Sequence, residues 1–164
     1  MGINGSWNNG ILIESNTIIG ADTCVYNDTG DNTNITIVNN TFQNVRQGLY
    51  FGNGYNVRRN YVFADNTIML ATNTRPVNRA AAINLGYGCT NWNITGNTVG
   101  WYSPPPANFF GYFLVCAKNE CGILVASNRV DPGLADCIVT NGYSARGNYD
   151  WHGNSLTNLN QAPF

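Results

Sequence analysis

The chain has 164 residues, enough for one domain with a continuous core. Only 10% of them are charged and the net charge is −1, which excludes the strongly basic surface of a nucleic-acid binder. At 43% hydrophobic and 12% aromatic residues the chain is not disordered, and no apolar run is long enough for a membrane helix.

The first patterned stretch is Ile11-Leu12-Ile13-Glu14-Ser15-Asn16-Thr17-Ile18-Ile19. Two short β-branched runs flank an asparagine. The clearest copy follows, Ile35-Thr36-Ile37-Val38-Asn39-Asn40-Thr41-Phe42, where apolar and polar residues alternate as in a strand with one buried face. Asn tolerates the left-handed backbone, so it can bend the chain sharply between two strands. Further copies centre on Asn60, Asn97, Asn128 and, most weakly, Asn148, giving pivot spacings of 24, 20, 37, 31 and 20 residues. Between the copies lies a third strand: Thr23–Tyr26, Gly48–Phe51, Ala81–Leu85, Tyr112–Cys116 and Asp136–Thr140. A repeat near 20 residues with variable insertions predicts a solenoid. A leucine-rich repeat is disfavoured, because its regular Leu spacing and helical segment are absent.

Three strands per coil around one tight Asn turn predict an all-β, right-handed parallel β-helix of five to six coils. With these pivots the chain resembles the pectate-lyase-like (pectin lyase fold) superfamily over roughly residues 10–156. The resemblance implies that Asn16, Asn40, Asn60, Asn97, Asn128 and Asn148 stack as an asparagine ladder. Residues 1–9 are a lead-in and 157–164 a tail or cap. The pattern starts in mid-repeat, so the N-terminal end is expected to be covered by the rest of a larger chain or by a homo-oligomer.

Cys24, Cys89, Cys116, Cys121 and Cys137 cannot all pair within one chain. They read as small buried residues, or as one or two extracellular disulfides, Cys116–Cys121 or Cys116–Cys137. Met1-Gly2-Ile3-Asn4 lacks the charged start of a secretory signal. Glycosylation sequons at Asn4, Asn27, Asn34, Asn39 and Asn93 point to an extracellular or secreted protein, although Asn-rich strands generate them by composition.

Two insertions carry most of the remaining chemistry: Leu70–Arg79 and Trp101–Phe110. Both follow a third strand and precede a first strand, so both should leave the same edge. They would wall a groove with Arg75, Arg79, Trp101 and Tyr102 at its sides and Tyr50 on its floor. Aromatic rings cover the apolar faces of sugars, and Arg forks a carboxylate. The partner expected is therefore a polysaccharide, with no nucleic acid and no membrane.

Catalytic signatures are missing. Lyases of the resembled family use an Arg or Lys base, often with calcium; Lys118 is the lone lysine, and a solvated turn residue is its simpler reading. No cofactor is called for. Asp22, Asp28 and Asp31 are oxygen donors of the kind calcium takes, in a spacing that matches no defined loop. Polygalacturonase-type motifs are absent; Trp151-His152-Gly153 only echoes one of them. Asp65, Asp136 and Glu120 could serve as carboxylates, without a fixed separation. The sequence thus favours a carbohydrate-recognising β-helix, part of a polysaccharide lyase or glycoside hydrolase, with catalysis left open. The alternative is a structural or fibre module such as a viral or phage tail segment.

Overall fold

The structure is a computed structural model and describes residues 3–4, 8–27, 30–51, 57–72, 79–85, 88–107, 109–116, 121–131, 134–139, 149–152 and 155–156. Its first coil holds β1 (Ile3–Asn4), β2 (Asn9–Glu14) and β3 (Thr17–Ile19). The second holds β4 (Thr23–Asn27), β5 (Asn32–Val38) and β6 (Thr41–Val45). The third holds β7 (Gln47–Phe51), β8 (Arg58–Ala64) and β9 (Thr67–Leu70). The fourth holds β10 (Arg79–Asn84), β11 (Cys89–Thr95) and β12 (Thr98–Trp101). The fifth holds β13 (Phe110–Cys116), β14 (Cys121–Ala126) and β15 (Arg129–Val130), and the sixth β16 (Ala135–Val139), β17 (Tyr149–His152) and β18 (Ser155–Leu156).

Like strands of successive coils pair in parallel. They make three six-stranded sheets: A from β1, β4, β7, β10, β13 and β16; B from β2, β5, β8, β11, β14 and β17; C from β3, β6, β9, β12, β15 and β18. The chain is a parallel β-helix of six coils. The lead-in is already part of it, since β1 pairs with β4; two residues are too few to show a period in sequence.

Each described B-to-C turn is two residues long. The first is left-handed: Ser15 (φ 56°), Asn39 (56°), Asp65 (54°), Gly96 (66°) and Ser127 (57°). The second is the ladder asparagine. Asn16 donates from both its backbone N and its Nδ2 to Asn40 Oδ1, at 3.0 and 3.1 Å. Asn40 does the same to Asn66, Asn66 to Asn97 and Asn97 to Asn128, all at 2.9–3.0 Å. Each Nδ2 from Asn40 onward also reaches back to a carbonyl of the coil before, at Ile13, Ile37, Phe63 and Ile94. Asn40, Asn66, Asn97 and Asn128 are buried.

The place expected for Asn60 therefore belongs to Asn66. Asn60 lies inside β8, exposed, with its own left-handed φ of 58°. It belongs to a second row on the outside of sheet B. There Asn34 donates to Asn9, Asn60 to Asn34 and Asn91 to Asn60, at 2.8, 2.9 and 2.9 Å. Asn148 lies outside the described residues, and β17, the last strand of sheet B, begins only after it.

The bore is filled by columns that run across the coils. In sheet B these are Ile11–Ile35–Tyr61–Trp92–Ile123 and Ile13–Ile37–Phe63–Ile94–Val125. Sheet C gives Ile18–Phe42–Ile68–Val99–Val130, and sheet A Val25–Leu49–Ile83–Leu114. All but the half-buried Ile11 and Ile18 are buried. Tyr61 and Trp92 stack at 4.1 Å, and the edge of Phe51 meets both.

Cys24 and Cys89 are buried free thiols. Cys137 pairs in register with Leu114, and Cys116 with Val139. The two cysteines share a sheet but are offset by two residues along it, which sets their Cα atoms about 8 Å apart. A disulfide spans at most about 7 Å between Cα atoms, so non-reducing peptide mapping should find no Cys116–Cys137 bridge.

The two asparagine rows should respond differently to substitution. Asn66→Ala takes the Oδ1 acceptor from the Asn40 backbone amide and leaves Asn40 Nδ2, the Ile37 carbonyl and Asn97 Oδ1 each one partner short in the interior, and should cost about 2–4 kcal/mol in urea unfolding. Asn60→Gly keeps the left-handed backbone and frees only exposed groups, and should cost less than about 1 kcal/mol.

Candidate functional site

The outer face of sheet A carries a pair of half-buried tyrosines. Along β7, Leu49 and Phe51 are buried and Tyr50 between them is half-buried, facing out. Tyr50 stacks on Tyr26 of the coil before, with ring centres 5.5 Å apart and planes 9° from parallel. In register the row continues to Asn84 and Val115, both half-buried. Tyr50 is thus the middle of a Tyr26–Tyr50–Asn84 row. Sequence reasoning chose Tyr50 and missed its two neighbours, because the row appears only when register is known.

At the other end of the same sheet, both insertions leave the edge between sheets C and A, on successive coils. Their roots are tied together: Thr72 and Ser103 hydroxyls lie 2.8 Å apart, and Tyr102 N donates to Leu70 O at 2.9 Å. Tyr102 is 52% exposed, as an open ligand surface requires. Trp101 is half-buried. Its ring lies over Gly111, leaving no room for a Cβ there, and meets the edge of Phe109 at 5.7 Å. Its indole N–H is buried without a partner. Arg75 lies outside the described residues. The backbone of Arg79 opens β10, paired with Phe110. From position 79 to position 84, which pairs with Tyr50, sheet A runs about 16 Å. Trp101, Tyr102 and the start of β10 thus lie along one sheet edge.

Of the catalytic candidates, only Asp65 has a described side chain. Asp65 is an exposed left-handed turn residue, its carboxylate lying against Gly96. Asp136 sits in β16, paired into sheet A at its far end. Lys118 and Glu120 lie outside the described residues. Of the acidic loop, Asp22 grips Arg46 of the next coil through two hydrogen bonds of 2.6 Å. Asp31 accepts the Val57 amide at 2.8 Å, and Asp28 lies outside the described residues. Among the described residues no three His, Cys, Asp or Glu side chains cluster as metal ligands.

No family model, curated protein or solved structure matches the chain.

The electrostatics of this edge can be tested. Its hydrogen bonds to Arg46 hold the Asp22 carboxyl below its ordinary 3.8. The depressed value means that the pair stabilises the fold above that pH and is lost as pH falls through the folded value. The pair is exposed, so Asp22→Asn should cost less than about 1 kcal/mol at pH 7. That difference should vanish on acid titration to pH 2. Burial pushes the Cys24 thiol up to about 12, so native-state alkylation at pH 8 should leave it unmodified until denaturant is added.

Gly111→Ala tests the packing of Trp101. The new methyl collides with the Trp101 ring and Leu134, and should cost about 1–3 kcal/mol in urea unfolding.

Proposed function

We propose that the protein is a carbohydrate-recognising β-helix that holds an extended glycan along the outer face of sheet A. The observation that carries this reading is the Tyr26–Tyr50 stack, set on the second and third strands of a six-stranded parallel sheet and continued by the amide of Asn84. Rings stacked on successive coils cover one another's faces and present a joined apolar edge with their phenol hydroxyls, against which a linear chain can lie. Tyr102, Trp101 and Arg79 stand about 16 Å along the sheet, where a second part of the same chain would lie.

Such a surface fits a polysaccharide-processing protein of the pectate-lyase-like kind, extracellular in setting. Arg79, with Arg75 of the first insertion, would favour acidic sugars through bidentate carboxylate contacts. Catalysis is a separate matter, since fold alone assigns no chemistry.

The experiment is a glycan array, followed by turnover assays on every hit. Binding of an acidic oligosaccharide is the expected outcome. Tyr50→Ala should weaken it by about tenfold, as loss of one ring contact implies, while the melting temperature changes little. If no glycan binds the parent protein, the reading fails and a purely structural module is favoured.

A further inference from the structure

The bore is not filled evenly. Across the first three coils it holds a cavity of about 80 Å³, walled on its apolar side by Ile11, Ile13, Val25, Ile35, Ile37 and Phe51. The cavity is partly open: its wall includes the half-buried Asn8, Ile11 and Tyr26 as well as the buried columns. Its polar side is formed by Asn8, Asn27, Asn32 and Tyr61, with Tyr26 alongside.

Most of that polar side is already spent. Asn32 Oδ1 accepts from Asn8 N and Nδ2, and Asn32 Nδ2 donates to Asn27 Oδ1 and Gly30 O. Tyr61 differs. It is 2% exposed, and its hydroxyl has no hydrogen-bond partner. Asn27 comes near enough to favour the ionised hydroxyl, without a hydrogen bond joining the two. A buried hydroxyl left unpaired carries a desolvation cost that any hydrogen-bonding guest would remove.

We propose that this cavity is a binding site for a small neutral amphiphile, a molecule of a few carbons with one hydrogen-bonding group. Size sets the first limit. An apolar cavity of about 150 Å³ holds benzene, so one of 80 Å³ suits about three or four heavy atoms. Charge sets the second: the described wall residues are neutral, so a charged guest would lose its hydration against them, and the buried Arg58 over the Phe51 ring, 5.1 Å from its centre, further disfavours a cation. The third limit separates guest from water. A buried water is held by about two to four polar partners; with the Tyr61 hydroxyl and Asn27 this wall meets only the low end of that range, and the rest of the described wall is apolar or already hydrogen-bonded. The site needs one polar atom at Tyr61 and carbon elsewhere.

The test uses xenon and 1-propanol as probes, read by the methyl signals of the full chain. Both should shift the Ile11, Ile13, Val25, Ile35 and Ile37 methyls saturably. Tyr61→Phe should weaken propanol by about three- to tenfold, the worth of one hydrogen bond, and leave xenon unchanged. Ile35→Phe should abolish both by filling the space; Val25→Leu is the milder filling variant and should weaken both should the first fail to fold. Propanol shifts that grow linearly without saturating would mean that the cavity holds only water, and the proposal falls. It falls equally if xenon moves none of these methyls, or if Tyr61→Phe weakens both probes alike.

Discussion

The turn that carries each coil from its second sheet to its third cannot be built by that coil alone. It closes on two residues, one left-handed and one a buried asparagine whose amide must find partners. Asn40 finds them above and below, at Ile13 O in the coil before and Asn66 Oδ1 in the coil after. A coil without neighbours would bury an unsatisfied amide and an unsatisfied turn, each costing about 1–3 kcal/mol. The repeat is therefore cooperative by construction, as stacked repeats are. The same constraint explains the uneven spacing. The B-to-C turn stays two residues long, whereas the stretch from sheet C to sheet A lengthens between β9 and β10 and again between β12 and β13. Extra residues collect where no buried ladder fixes the backbone.

Two asparagine rows run in opposite senses. Inner amides donate toward the later coil, from Asn16 to Asn128; outer amides donate toward the earlier one, from Asn91 back to Asn9. Both rows exploit the tolerance of Asn for positive φ, but differently. In the inner row the left-handed residue precedes the asparagine, and in the outer row Asn34, Asn60 and Asn91 are themselves left-handed. Between Gly10 and Gly122, also at positive φ, the outer row forms an unbroken left-handed column along sheet B.

That difference explains what was legible in the sequence. Period-two alternation and β-branched runs place the strands, and the third strand of each coil is found where expected, because burial on one face writes itself into residue type. The ladder was read correctly at Asn16, Asn40, Asn97 and Asn128, where a turn-forming residue directly precedes the asparagine. At the third coil both rows offer an asparagine six residues apart. The deciding signal was Asp65 before Asn66, a small polar residue able to take the left-handed turn; Asn60 follows Arg59 instead. The outer-face row of Tyr26, Tyr50 and Asn84 was illegible beyond its middle member, because 24 and 34 residues separate partners that register places side by side. Loop length hides register, and register is what builds a surface on a solenoid.

The same geometry separates stability from recognition on sheet A. Leu49 and Phe51 anchor β7 in the bore, so Tyr50 between them is positioned by neighbours whose burial does not depend on it. A ring there can change identity at little cost to the core, which is the freedom a binding face needs. Trp101 has no such freedom. Gly111 has given up its side chain to seat the indole, and Phe109 closes on its edge. Its ring ties the second insertion to the coil, so any ligand contact it makes is a by-product of a structural position. Tyr102, one residue on and free of that packing, is where the insertion can vary for recognition without loosening its own root.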